Sequence, residues 1–409
     1  MIALPLREKS KIHNMKKIDP IVPMSLPDLT EAERSAVLEV LQTPHLSMGP
    51  RITEFEAAVA EYIGAKEAIG VNSGTAGLHL CVRAAGIQPG DLVLTTPFSF
   101  VASTNVILFE GGIPVYVDVD PLTGNMDPDQ AAQGLEDLEK GGAAARRWLP
   151  RKGIEPAGKV KAILPVDVFG QPADYDRLKP LAQKYHLKHI EDSCESLGAE
   201  YKSTRVGLMG DYGVFAFYPN KQMTTGEGGI IVTDDPAAAR YMRALRNQGR
   251  APGDTWLQHT YLGYNYRMDE MSAALGLAQL KRLEELLTKR QRVADWYASR
   301  LAHIEGVQVP FIAPATTRVS WFVYVIRLAH GLDREAIAAK LHLNGIPVRP
   351  YFLPIHLQPY MVEKFAYQQG DYPVTEDLGR RGLALPFSGM MSEDQVDLVC
   401  RVLADCVAA

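Results

Sequence analysis

The sequence predicts an α/β protein with a mostly parallel central sheet flanked by helices and a smaller C-terminal α/β domain. Three observations predict it. From Ala68 to Asp192, short apolar runs alternate with amphipathic stretches, and Gly or Pro punctuates each change. Between Val214 and Val232 two further apolar runs flank a loop rich in Gly and Thr. Beyond Val307 the pattern changes to one aromatic-rich strand and two helices. We therefore divide the chain into an extension at 1–20, a large domain at 21–304 and a small domain at 305–409. The length of 409 residues suits two or three domains, or one large domain with an appendage.

In order, Asp28 to Leu41 has helical spacing, with Leu29, Ala32, Ala36, Val37 and Val40 near one face. His45 to Pro50 is a loop. Ile52 to Ile63 is a second amphipathic helix, with Phe55, Val59 and Tyr62 on its apolar face and Gly64 as its stop. Ala68 to Val71 reads as a strand, and Asn72 to Thr75 as the turn into a helix carrying Leu78, Val82 and Ala85, closed by Gly86. Strands follow at 91–95, 114–119, 160–168 and 189–192, and helices at 101–109 and 175–185. The stretch 130–159, rich in Ala, Gly and Arg, reads as a helix plus a surface insertion whose Arg146-Arg147 pair is a solvated face. Asp235-Pro236 supplies an N-cap and first position for a helix ending at Gly249. Asp269 to about Leu301 is helical, 319–328 is a strand, and 333–343 is a helix. Ser392 and Gln395 have capping-box spacing at the start of a last helix.

Apolar content of 46% and charged content of 22% are those of a soluble globular chain. A net charge of -5 marks no nucleic-acid or membrane surface. Cys81, Cys194, Cys400 and Cys406 form no CxxC pair and have no His-rich neighbour, so they read as reduced thiols of a cytoplasmic protein, with no metal site. No apolar run reaches membrane-spanning length. Met1 to Lys17 lacks the apolar core of a secretory signal and reads as a loose extension, with Met15 as an alternative start.

The chemistry centres on Phe217 to Gly228. Lys221 sits mid-loop between two apolar runs, at the end of a strand. A lysine alone is usually a solvated surface residue, whereas one that loses hydration is easier to deprotonate, as a Schiff-base lysine must be. Its partners decide between the two. Ser73-Gly74-Thr75 is a Gly turn opening a helix, which is a plain helix start or a phosphate cup. Asp192 ends a strand, where it either caps the next segment or faces the ligand crevice of a parallel sheet. Phe98 and Phe100 follow a strand, where an aromatic is either core or a stacking partner for a flat ring. A phosphate cup, an acid, an aromatic and a lysine at strand ends match the phosphate, ring nitrogen, flat ring and aldehyde of pyridoxal phosphate.

With these residues the sequence resembles the DegT/StrS-type sugar aminotransferases, pyridoxal-phosphate enzymes of the type I (aspartate aminotransferase) fold. The resemblance rests on Ser73-Gly74-Thr75-Ala76, Pro97 to Phe100, Val117 to Asp120, Glu191-Asp192, Asn220-Lys221, Gly226 to Gly229, Gly263 to Met268 and Pro354 to Pro359. These stretches come in the family's order, from about residue 20 to the C-terminus. It implies that Lys221 bonds to the cofactor aldehyde and moves the substrate proton, and that Asp192 keeps the pyridine nitrogen protonated. It implies that Phe100 stacks on the ring, that Gly74, Thr75 and Ala76 bind the phosphate, and that Asn265 reaches a phosphate across a homodimer interface. For Asn265 a plain turn residue is an equal reading.

Three positions depart from the family pattern. Ala216 stands where a phosphate-binding serine is common, Glu195 where a glutamine commonly lies near the ring's phenolic oxygen, and Asp167 where many members have histidine. The implied activity moves an amino group, with L-glutamate the expected donor, to a keto group of a nucleotide-linked deoxysugar, in amino-sugar biosynthesis for surface polysaccharides or natural products. A sugar dehydratase is the alternative within the family, but there histidine replaces the lysine. A catalytically silent regulator is the alternative outside enzymes. Arg349, Tyr351 and His356 are candidate substrate contacts, each also readable as packing or surface. The nucleotide, the sugar and the carbon aminated are not legible.

Overall fold

The computed structural model of the chain describes residues 21–154 and 158–408. The expected extension at 1–20 and the alternative start at Met15 lie outside these residues. Among the described residues, thirteen strands form three sheets. In chain order they are β1 (Glu67–Val71), β2 (Leu92–Thr95), β3 (Ile113–Tyr116), β4 (Val160–Ile163), β5 (Lys188–Asp192), β6 (Glu200–Tyr201), β7 (Thr204–Arg205), β8 (Tyr212–Ala216), β9 (Gly229–Thr233), β10 (Val307–Gln308), β11 (Thr316–Arg318), β12 (Tyr324–Leu328) and β13 (Gly382–Leu385).

The central sheet has seven strands in the order β1-β9-β8-β5-β4-β2-β3. Only β9 runs against the rest, pairing antiparallel with both β1 and β8. Its strands are short, nearly all-apolar runs because helices cover both faces. Alternate residues enter opposite cores: Phe215, Ile230 and Val232 pack on one side with Phe55 and Leu178. Val214 and Ile231 pack on the other with Leu78, Val106 and Met242. Helix Pro50–Ile63 ends on Gly64, whose φ of 88° a side-chain-bearing residue adopts with strain.

A second sheet, β10-β12-β13, is antiparallel and packs against helices Arg334–Leu343 and Glu393–Ala408. Helix Leu283–Leu301 packs into the cores of both sheets. Its Leu283, Leu286 and Leu287 lie in a core of the central sheet, and its Val293, Ala294, Tyr297 and Leu301 in the core of the second sheet. Strand β11 turns back to pair antiparallel with β6, completing a third sheet with β7.

Several elements are shorter than their periodicity predicts. The first helix spans Glu31–Leu41, because Thr30 rather than Asp28 is its N-cap. Its buried residues are Glu33 and Val40, whereas Leu29 is exposed. Strand β4 ends at Ile163, two residues before Pro165, which has no N–H for a ladder. The region 269–301 is two helices, Glu270–Lys281 and Leu283–Leu301, parted at Arg282. The helix beginning after Asp235 ends at Arg246, three residues before Gly249. Strand β12 starts at Tyr324 rather than Val319, because the Trp321 and Phe322 carbonyls accept from the Arg290 side chain instead of a strand. Helix Glu393–Ala408 carries the expected capping box, with Ser392 and Gln395 bonding each other's backbone N–H.

Glu33 ties the first helix to helix Glu270–Lys281. It accepts from the Thr30 amide and hydroxyl at 2.6 Å each, and from Gln279 and Arg282 at 2.8 Å each. Burial raises its pKa, but these donors outweigh burial and pull it from 4.5 to about 2. A carboxyl held below its unfolded value stabilises the fold above about pH 4.5, and that contribution fades as pH falls through about 2. We expect Glu33→Gln to cost about 2 kcal/mol at pH 7. Urea unfolding at several pH values should show the gap to wild type narrowing below pH 4.5. A gap independent of pH would refute the assignment.

Candidate active site

Parallel strands end on one edge of the sheet, and ligands bind there. The loops leaving β1, β2, β5 and β8 meet at this edge around a cavity of about 410 Å³. Gly74, Thr75, Phe100, Asp192, Glu195, Lys221, Arg349 and Tyr351 all line it, as do Ala216 and Phe322.

Lys221 lies in the loop between β8 and β9. The loop is closed at its base by Phe217 N–H to the Gly228 carbonyl at 3.0 Å and Thr225 N–H to the Phe217 carbonyl at 3.0 Å. The lysine side chain is 12% exposed. Its Nζ lies 3.8 Å from Glu195 Oε1 and 3.7 Å from the centre of the Phe322 ring. The other oxygen of Glu195 accepts the Phe169 N–H at 2.9 Å. Burial raises the Glu195 pKa, and Lys221 and the Phe169 amide offset part of that rise. Glu195 therefore faces the lysine, with one oxygen already held by backbone.

Asp192 ends β5 with both oxygens engaged. Oδ2 accepts the Ser103 hydroxyl at 2.6 Å, and Oδ1 the Cys194 N–H at 3.3 Å. Ser99 and Ser103 in turn share a bond of 2.8 Å. Asp167 does not line the cavity. It is fully buried and accepts from the hydroxyls of Tyr175 at 2.6 Å and of Ser193 and Ser196 at 2.8 Å each, and from the Ala173 amide at 2.9 Å. It thus tethers the segment that carries Asp192 and Glu195.

Helix Gly74–Ala84 points its N-terminus at the cavity, with Ser73 as N-cap. Among the described residues, the amides of Gly74 and Thr75 and the Thr75 hydroxyl have no hydrogen-bond partner. Open amides at a helix N-terminus suit a phosphate. The Ala76 amide does not join them, because it donates to Ser73 Oγ at 3.1 Å. A Cβ on Gly74 would come within 2.8 Å of the Ala216 methyl and 2.9 Å of Cys194 Sγ, so the cradle admits only glycine there. Phe100 is 62% exposed beside it.

Two sequence candidates lie elsewhere. His356 is fully buried outside the cavity, with Nε2 3.0 Å from Glu376 and its ring edge-on to Tyr372 at 4.7 Å. Carboxylate and aromatic neighbours make it a packing residue rather than a substrate contact. Asn265 is exposed and lies outside this chain's cavity, its carbonyl accepting from Asn72 at 3.3 Å. The flanking rings of Tyr264 and Tyr266 stack at 4.9 Å. Their hydroxyls bond Glu110 and His79 at 3.0 Å each, which clamps the segment to helix Gly74–Ala84. Arg349 and Tyr351 do line the cavity, and burial with Glu195 nearby raises the Tyr351 pKa to about 12.

Linear reasoning missed Phe322, Ser103 and Arg290. Phe322 was absorbed into a longer expected strand, and Ser103 has no local signature. Arg290 did leave a signal. It occupies an apolar position of the stripe Leu283, Leu286, Leu287, Val293, Ala294, Tyr297 and is itself buried.

The sequence and fold are shared with known proteins. The family model described as the DegT/DnrJ/EryC1/StrS aminotransferase family matches residues 27–404. GDP-perosamine synthase of Caulobacter vibrioides is 39% identical over 389 residues, covering 94% of this chain and 98% of that protein. UDP-2-acetamido-2-deoxy-3-oxo-D-glucuronate aminotransferase of Pseudomonas aeruginosa is 31% identical, covering 91% of this chain and 95% of that one. Among solved structures, S. venezuelae DesV in complex with a ketimine intermediate superposes with a TM-score of 0.83 at 30% identity, covering 95% of this chain and 99% of that one. Helicobacter pylori PseC, an aminotransferase of pseudoaminic acid biosynthesis, superposes with a TM-score of 0.84 at 27% identity and the same coverage. A match over nearly the whole length, on a sheet whose carboxyl edge gathers a lysine, an acid and an open helix N-terminus, makes the chain a member of the DegT/DnrJ/EryC1/StrS aminotransferase family.

Proposed function

We propose that the protein moves an amino group from an amino acid, L-glutamate, to the keto carbon of a nucleotide-linked deoxysugar, using pyridoxal phosphate in the cavity around Lys221. The observation that carries this is the meeting of Lys221, Asp192 and the open amides of Gly74 and Thr75 on one cavity. The donors fit the cofactor: amides for its phosphate, a carboxylate for its ring nitrogen, Phe100 for its ring face and Lys221 for its aldehyde. When bound, the group supplies a carbonyl that takes up the amino group and a protonated ring that withdraws electrons from the reacting carbon.

The chain's residues do the rest. Asp192, steadied by Ser103, keeps a proton on the ring nitrogen. Lys221 Nζ takes a proton from the donor carbon and returns it to the carbon on the far side of the amino nitrogen, two bonds away. With Ala216 contributing no hydroxyl, the Thr75 hydroxyl and the helix amides bear the phosphate. Arg349 and Tyr351 face the substrates from the side of β12 and β13. The nucleotide-linked sugar follows from the relatives named for GDP- and UDP-sugars. Lys221 itself speaks against a dehydratase of the family, in which histidine replaces the lysine, and a silent regulator would leave the combination of lysine, acid and cup without a purpose.

The active form we propose is a cytoplasmic homodimer. Trp256, Leu257 and Leu262 are 77%, 84% and 80% exposed, an apolar stretch that a second copy would cover. Asn265, exposed in the adjoining segment, would then meet the partner's cavity. No helix among the described residues is long and apolar enough to cross a membrane. The large body at 21–304 would hold the cofactor, and the residues from 305 on, with their own sheet, would form the smaller body.

Purified protein should show a visible absorbance band that bleaches with L-glutamate and returns with a nucleotide 4-keto-6-deoxysugar. Lys221→Ala should lose about 10³-fold or more in turnover, within the range of positioned acid-base groups. A protein without the band, or normal turnover in Lys221→Ala, would sink the proposal. Gel filtration should give a dimer. Mixing Lys221→Ala subunits with Asn265→Ala subunits should recover activity absent from either parent, since each hybrid then holds one complete site. No recovery, or an active monomer, would remove Asn265 from the site.

A further inference from the structure

Arg290 lies on helix Leu283–Leu301 at the turn where the helix passes from one core to the other, and it is 4% exposed. Its Nη1 donates to the carbonyls of Trp321 at 3.1 Å and Phe322 at 3.3 Å. Its Nη2 donates to the carbonyls of Asn220, at 3.1 Å, and of Lys221. Burial alone, with no facing carboxylate, pulls its pKa down to about 10. Next in the loop, Gln222 Nε2 donates to Ser320 Oγ at 2.8 Å and to the Glu195 carbonyl. Three consecutive loop residues, 220 to 222, are thus tied to three consecutive residues, 320 to 322.

Burying a guanidinium without a counter-ion costs free energy that a leucine at the same stripe position would avoid. Leucine, however, cannot direct bonds to carbonyls of two separate segments. One of those segments carries Lys221, and the other carries Phe322, whose ring lies 3.7 Å from the lysine Nζ. The same side chain sets both the peptide of the lysine and the surface on which its amine rests. We infer that Arg290 is a positioning residue for Lys221, locking the lysine loop onto the segment that leads into β12. This rests on the reading of Lys221 as the reactive amine.

The test uses full-length Arg290→Lys and Arg290→Met. Both should keep the wild-type circular dichroism spectrum. In both, KM for each substrate should stay within about twofold while kcat falls about tenfold or more, as expected when a reacting group is misplaced and substrate affinity is kept. A second readout needs no turnover. Cofactor-stripped protein is mixed with pyridoxal phosphate, reduced with borohydride at timed intervals, and the labelled peptide is quantified. Labelling at Lys221 should slow in step with kcat. A folded variant that labels and turns over at the wild-type rate would overturn the inference. Failure of both variants to fold would also overturn it, assigning Arg290 to the fold. If the wild type itself shows no cofactor band and no response to L-glutamate, the functional reading fails instead.

Discussion

The pairing of β9 against β8 is the constraint on which the site depends. Every other strand of the central sheet runs one way, so a connection from β8 to a parallel neighbour would need a long crossover. Because β9 runs back, from Ala216 opposite Gly229 to Gly213 opposite Val232, the connecting loop stays at the carboxyl edge. There it lies between the end of β1, which opens helix Gly74–Ala84, and the end of β5, which presents Asp192. One reversed strand brings the lysine to the edge where parallel strands already deliver the acid and the helix N-terminus.

The groups that line the cavity are held by a polar layer behind them. Ser103 holds Asp192, Asp167 holds Ser193 and Ser196, and Gln222 reaches the Glu195 carbonyl. Such a layer is costly to bury unless its donors and acceptors are paired. Here the bonds of Asp167 are short and numerous, so the segment from Asp192 to Glu195 cannot shift without breaking several at once. Reacting groups held this way need little reorganisation when substrate arrives. Asp167, lying behind the cavity rather than in it, anchors this segment.

Ala216 and Glu195 shape the cavity in different ways. Ala216 sets a methyl against Gly74, beside the open helix N-terminus. Glu195 sets a carboxylate 3.8 Å from the Lys221 Nζ. Phe169 N–H holds that carboxylate from one side, and the Lys221 amine faces it from the other. The cavity is thus lined by both open amides and a buried acid-amine pair.

Much of this was legible in the linear chain. Apolar runs with Gly and Pro stops marked the strands of the central sheet, because covered parallel strands must be apolar on both faces. Lys221, Asp192, Gly74 and Thr75 were legible because each stands at a strand-to-loop junction, a local feature. Element ends were less so: Pro165 and the bonds from Arg290 to backbone carbonyls shortened strands whose apolar pattern ran on. His356 read equally as substrate contact or packing, because a motif shows residue type but not burial; Glu376 and Tyr372 enclose it. What the sequence by itself determined is the order of elements and the chemical types at their ends, since both follow from local spacing. What only the tertiary structure decided is which distant side chains meet: Glu195 with Lys221, Ser103 with Asp192, and Arg290 with two separated segments. Contacts between residues far apart in the chain depend on how helices and sheets pack, and no local period records that.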